Sequence, residues 1–118
     1  EDALRCVRMA MAMQGRMKEL QEQWFRRGVE YPLQMRIGIN TGMAAVGNFG
    51  AADRISYTAI GGQVNLASRL EGLCEPGGIL ISHPTWALVN EEIPCREKGK
   101  VSVKGIHREV LTYEVVLG

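Results

Sequence analysis

The feature that most constrains this chain is the way its hydrophobic period changes along it. Ala3, Val7, Ala10, Met13, Met17, Leu20 and Trp24 recur at spacings of three and four. That spacing puts them on one face of an amphipathic helix over residues 2–27. Gly28 then supplies a left-handed stop, and Pro32 bars continuation. The period drops to two in Met35-Arg36-Ile37-Gly38-Ile39-Asn40, which predicts a half-buried strand. The next run, residues 41–50, keeps β character but carries Gly42, Gly47 and Gly50. Glycine at such density predicts a bulge, a bend or the close approach of another backbone.

Arg54 to Ile60 reads as a further strand closed by Gly61-Gly62, and helical spacing returns over Gln63–Leu73 with Leu66, Leu70 and Leu73 as the buried stripe. Cys74-Glu75-Pro76-Gly77-Gly78 is a turn. A short buried strand (79–82), a short helix (84–90) and two closing strands (about 95–103 and 109–117) complete the chain. The order α-β-β-α-β-α-β-β argues α+β or a mixed-sheet α/β fold.

Composition excludes more than it assigns. With 118 residues the chain is one domain at most. A net charge of +1 gives no bulk attraction toward nucleic acid or anionic membranes, so any phosphate chemistry must come from locally placed side chains. No apolar run reaches the roughly 20 residues that span a bilayer. The start at Glu1-Asp2 leads straight into a helical pattern and reads as a piece of something longer. Cys6, Cys74 and Cys95 show neither CxxC nor Cys/His ligand spacing, which fits reduced, buried thiols in a cytosolic domain.

Several chemistries find no motif. There is no GxxxxGK[ST] loop and no GxGxxG fingerprint. His83 and His107 lack partners at ligand spacing and read as ordinary surface or loop residues. Ser56, Ser68, Ser82 and Ser102 lack a nucleophile-elbow context. The informative segment is Tyr57-Thr58-Ala59-Ile60-Gly61-Gly62-Gln63-Val64-Asn65-Leu66-Ala67-Ser68-Arg69-Leu70-Glu71. Asn65 and Arg69, four apart on a helix, meet on one face at the edge of the leucine stripe. An Arg beside an Asn at such a rim suits a phosphate oxygen and a sugar oxygen. Spacing alone favours the plainer reading, a solvated helix edge where Arg69 pairs with a carboxylate.

VNLASRLE after YTAIG, preceded by MRIGINTGMAAVGNFG and followed by VSVKGIHREVLTYEV, resembles the class III adenylate and guanylate cyclase catalytic domain. The likeness runs from about residue 35 to 116, and the opening helix also fits. It implies an α+β fold, a ferredoxin-like α/β sandwich with helices packed on a mixed, mostly antiparallel sheet. It further implies that residues 1–118 are the C-terminal portion of a single catalytic domain whose N-terminal strands are not in this chain.

In that family two domains pair head to tail, and the 3′-hydroxyl of a bound nucleotide attacks its own α-phosphate with release of pyrophosphate. Two metal ions, Mg²⁺ or Mn²⁺, activate the hydroxyl and brace the triphosphate. Carried over by motif, Arg69 stabilises charge on the α-phosphate and Asn65 orients the ribose. Lys104 holds the terminal phosphates as a point charge; its plain alternative is a solvated strand lysine. Thr58 takes the position that reads the purine and points to ATP, since a hydroxyl can accept from the adenine amino group. Asn40 and Ser56 depart from residues common in relatives (His and an acidic residue), at positions not expected to touch phosphate.

The resemblance places the glycine-rich run 42–50 near the dimer seam, with Phe49 as an apolar contact there. It puts both metal-binding aspartates upstream of the first helix; Asp2 and Asp53 match neither motif, so no metal ligand is expected in this chain. The expected partners are ATP and a second cyclase domain in a homodimer, with no nucleic acid and with membrane contact only through segments outside this chain. The expected location is cytoplasmic. The chain alone is expected to expose apolar surface, to be marginally stable and not to catalyse. A non-catalytic cyclase-like regulatory module and a guanylate cyclase are the alternatives.

Overall fold

A computed structural model describes residues 2–29, 33–41, 43–49, 62–102 and 109–117. The elements are α1 (Asp2–Arg26), β1 (Gln34–Asn40), β2 (Met43–Phe49), α2 (Gly62–Leu73), β3 (Ile79–Ser82), α3 (His83–Val89), β4 (Cys95–Val101) and β5 (Val110–Val115). The helices and the strands β1, β3, β4 and β5 fall where the periodicity predicts them, and β2 lies in the glycine-rich run 41–50 that keeps β character. The strand predicted over 54–60 lies outside the described residues.

The strands form one sheet in the order β2-β1-β3-β5-β4. β1 and β3 run parallel, and the other neighbours are antiparallel, so the sheet is mixed and mostly antiparallel.

Alternation along β1 and β3 divides the core in two. Ile37, Ile39, Ile79 and Ile81 are fully buried with Ala3, Val7 and Ala10 of α1 and Val89 of α3. Leu80 points the other way and is buried with Leu66, Leu70 and Cys74. α1 and α3 therefore cover one face of the sheet and α2 the other. This corrects the reading of β1 as half-buried: Met35 and Ile37 through Asn40 are all buried. Periodicity reports the apolar face of a strand but not a helix lying across its small-residue face.

Two further corrections concern helix faces. The buried stripe of α1 ends on a polar residue, Gln14, which is 6% exposed. Its Nε2 donates to the carbonyl oxygens of Met35 (3.0 Å) and Gly78 (2.8 Å), tying the helix to β1 and to the turn before β3. Beyond it Met17, Leu20 and Trp24 are only partly covered, and Met9 and Phe25 are exposed. On α2 the inward stripe is Leu66, Ala67, Leu70 and Glu71, continued by Cys74 just past its end, whereas Leu73 is exposed.

The stops are as expected. Gly28 takes φ +88, and the pair Gly28 N to Phe25 O and Val29 N to Trp24 O closes α1 as a Schellman motif. Gly77 takes φ +85 in the turn after α2, and its N–H donates to Met35 O at 2.7 Å.

α2 lies unusually close to β1. A Cβ at Gly38 would fall on the Glu71 amide nitrogen and the Ala67 carbonyl oxygen, and 2.8 Å from Leu70 Cβ. These are backbone atoms of a packed helix and cannot step aside. Gly38→Ala should therefore lower stability in urea unfolding by about 2–3 kcal/mol. By contrast Gly72→Ala, on α2 with open space around it, should raise stability by up to about 1 kcal/mol through helix propensity. A neutral Gly38→Ala would contradict the close seat.

Burial also pushes the Cys74 thiol up to about 11. A raised thiol pKa favours the fold below its ordinary value of 9.0, and the contribution fades as pH rises through about 11. Native-state labelling at pH 8 should leave Cys74 unmodified, because only about one thiol in a thousand is then thiolate. Partly exposed Cys6 and Cys95 should react sooner, and Cys74 should react on unfolding.

Candidate active site

α2 carries the two residues expected to handle the reacting end of a nucleotide. Ala67, Leu70 and Glu71 face the sheet, so Arg69 is turned outward and is exposed. Asn65 lies within the same helix one turn earlier, on the same face by spacing; its side chain lies outside the described residues. Thr58 and Lys104 also lie outside them. Phe49 ends β2, its side chain likewise undescribed.

A buried ion pair joins α2 to β1. Glu71 is fully buried, 0% exposed, and its Oε2 lies 3.4 Å from Arg36 Nε of β1, whose side chain is 19% exposed. Both residues have further interactions besides this pair. The register sets Arg36 opposite Gly47 of β2. A Cβ at Gly47 would fall on the Glu71 carboxylate, so this glycine is where the side chain of the helix passes close to the hairpin. The density of glycine in 42–50 predicts a bulge, a bend or a close backbone approach; at Gly47 it is a side-chain carboxylate that comes close. The Arg36–Glu71 pair was missed by sequence reasoning. Its signal is that Glu71 stands four after Ala67 and three before Cys74, on the inward stripe.

A second polar cluster closes the C-terminal end of β1. Ser82 Oγ donates to Asn40 Oδ1 at 2.6 Å and lies 3.0 Å from Thr85 Oγ1. The single Ser82 proton is committed to Asn40, so Thr85 donates to Ser82 and accepts from the Thr41 amide at 2.6 Å. Asn40, Ser82 and Thr85 are all buried. Thr41 is held at φ +45, a left-handed conformation rare for a β-branched residue. The departure at Asn40 therefore has a structural role, as an acceptor joining β1 to β3. Ser82 is the extended N-cap of α3, and its hydroxyl is occupied in this network. His83 is a surface residue, as expected, and its Nδ1 meets the Tyr113 hydroxyl at 3.1 Å beside Trp86, which stacks on Tyr113 at 4.4 Å.

Among the described residues no group of three His, Cys, Asp or Glu side chains could hold a metal ion. No helix there is long and apolar enough to cross a membrane. A groove of about 510 Å³ runs beside α1, lined by Met11, Gln14, Met17, Lys18, Gly77 and Leu117. Arg69 is not among the described residues that line it.

Comparison with known proteins shows the family and the fold. The chain matches the model of the adenylate and guanylate cyclase catalytic domain over residues 1–116. It is 36% identical over 118 residues to adenylate cyclase 1 of Rhizobium meliloti, covering 98% of this chain and 17% of that protein. Among solved structures, the adenylyl cyclase CyaB from P. aeruginosa superposes with a TM-score of 0.75 at 47% identity. It covers 97% of this chain, which spans 58% of it. The guanylyl cyclase Cya2 superposes with a TM-score of 0.73 at 31% identity, over 98% of this chain and 58% of its own. The α+β sandwich seen here is the fold of those structures, and the chain belongs to the adenylate and guanylate cyclase catalytic domain family.

Proposed function

We infer that the protein carrying this chain is an adenylate cyclase. It converts ATP to 3′,5′-cyclic AMP and pyrophosphate by attack of the 3′-hydroxyl on the α-phosphate, and this chain forms the later part of its catalytic domain. The observation that carries the reading is an exposed arginine, Arg69, on a helix whose inward face is locked to the sheet, with Asn65 one turn before it. An arginine held this way meets charge developing on a phosphoryl oxygen without having to reorganise during the reaction. Asn65, on the same helix face, is suited to orient the ribose for in-line attack. Lys104 serves the terminal phosphates and Thr58 the adenine amino group.

The choice of ATP is supported by Thr58 and by relatives named adenylate cyclases, one of them similar over nearly the whole chain. The active unit is a homodimer with the nucleotide at the seam, in the cytoplasm or in the cytoplasmic part of a larger protein. Two divalent ions, Mg²⁺ or Mn²⁺, are implied by the family. The described residues do not fit them, lacking any ligand cluster, so the roles assigned here are confined to phosphate, ribose and base.

The test is cyclic nucleotide formation by the full-length protein with ATP or GTP and Mn²⁺, for wild type and Arg69→Ala. Cyclic AMP should predominate and fall by roughly a hundredfold or more in the variant. Cyclic GMP formed from GTP in its place would make this a guanylate cyclase. A folded, dimeric protein yielding neither product would be a regulatory module.

A further inference from the structure

The catalytic assignment leaves a fully buried carboxylate without a task. Glu71 stands two residues after Arg69 on α2, on the opposite side of the helix, and none of its side chain is exposed. A carboxylate is costly to bury, and an apolar residue would fill the same inward stripe beside Leu70 and Cys74. The geometry around Glu71 shows what a carboxylate does there that an apolar residue could not.

We propose that Glu71 and Arg36 are positioning residues for Arg69, their buried ion pair fixing the rotation and axial register of α2 on the sheet; this rests on the cyclase reading above. Three contacts meet at one point. The carboxylate lies against Arg36 of β1. Gly47, opposite Arg36 in the hairpin register, leaves the room the carboxylate occupies. Gly38, two residues after Arg36 on the same face of β1, receives the backbone of α2 at Ala67 and Glu71.

Apolar contact alone is non-directional and would tolerate small rotations of the helix. The ion pair does not: turning α2 about its axis drags the carboxylate from Arg36 into apolar surroundings. Because Arg69 projects from the far side of that helix, any rotation swings its guanidinium through a larger arc than the backbone. A displacement near 1 Å at a reacting phosphate can cost about a hundredfold in rate. A pair that holds the helix angle therefore acts on rate through Arg69, without touching the nucleotide.

The experiment is steady-state cyclic AMP formation by the full-length protein carrying Glu71→Gln, in the wild-type and Arg69→Ala backgrounds, with folding followed by urea unfolding. Gln keeps the shape and removes the charge. In the wild-type background kcat should fall about tenfold to thirtyfold with KM for ATP within about twofold. In the Arg69→Ala background the same change should cost less than about twofold in kcat, because the residue it positions is gone. The stability loss should be equal in both backgrounds.

A purely structural Glu71 would lower kcat by the same factor in both backgrounds, or leave it unchanged in a folded protein, and either result overturns the proposal. Should Glu71→Gln fail to fold, Gly47→Ala makes the same comparison, displacing the carboxylate while retaining its charge. Absence of cyclic nucleotide from the wild type would instead overturn the cyclase reading, so the two failures are distinct.

Discussion

The seat of α2 on β1 is the contact on which the rest of the structure depends. At Gly38 the helix backbone comes as near to the strand as a residue without a side chain allows, and Leu66, Leu70 and Cys74 close the second core around that point with Leu80. The strand is consequently covered on both faces, with Ile37 and Ile39 turned toward α1 and α3. A larger residue at position 38 would separate helix and sheet and open both the apolar contact and the ion pair beside it. The buried Arg36–Glu71 pair adds direction to what is otherwise a non-directional apolar contact. Removing one member of such a pair typically costs about 3–5 kcal/mol, because the other is left buried. The seat is thus both the anchor of α2 and its angular reference.

Much of this was legible in the sequence. α1, α2 and the strands follow from changes of period, and Gly28 and Gly77 mark turns where left-handed φ is in fact used. The fold class followed from element order, and the family from motifs that no single spacing argument would have carried. What the sequence hid was the second face of each element. Gly38 reads as an interruption in an alternating strand until a helix is laid across it. Gln14 and Glu71 read as polar residues on amphipathic helices, yet both are buried because each finds its partners in segments distant in sequence. Leu73 was assigned inward on period alone, whereas Cys74 takes the inward place as the helix ends. Of the candidate site, the helix bearing Asn65 and Arg69 was legible; Thr58 and Lys104 fall outside the described residues.

The polar cluster at the end of β1 shows how a departure from a family habit can be absorbed locally. Asn40 offers an acceptor where relatives often carry His, and Ser82 and Thr85 complete a chain of hydrogen bonds that ends on the Thr41 amide. Each buried hydroxyl in that chain has a partner except the Thr41 hydroxyl, whose oxygen is buried without one. Together with φ +45 at the same residue, this marks the β1–β2 connection as a place where local preference yields to tertiary demand. β1 and β2 then present Arg36 and Gly47 to α2.

On the proposed reading, α2 holds Arg69 ready for the α-phosphate of a nucleotide. The most direct measurement is a crystal structure of the full-length protein with a non-reactive ATP analogue. The Arg69 guanidinium should lie within about 3 Å of an α-phosphate oxygen, with Glu71 still paired to Arg36. A bound nucleotide with Arg69 turned to solvent, away from every phosphate, would contradict it.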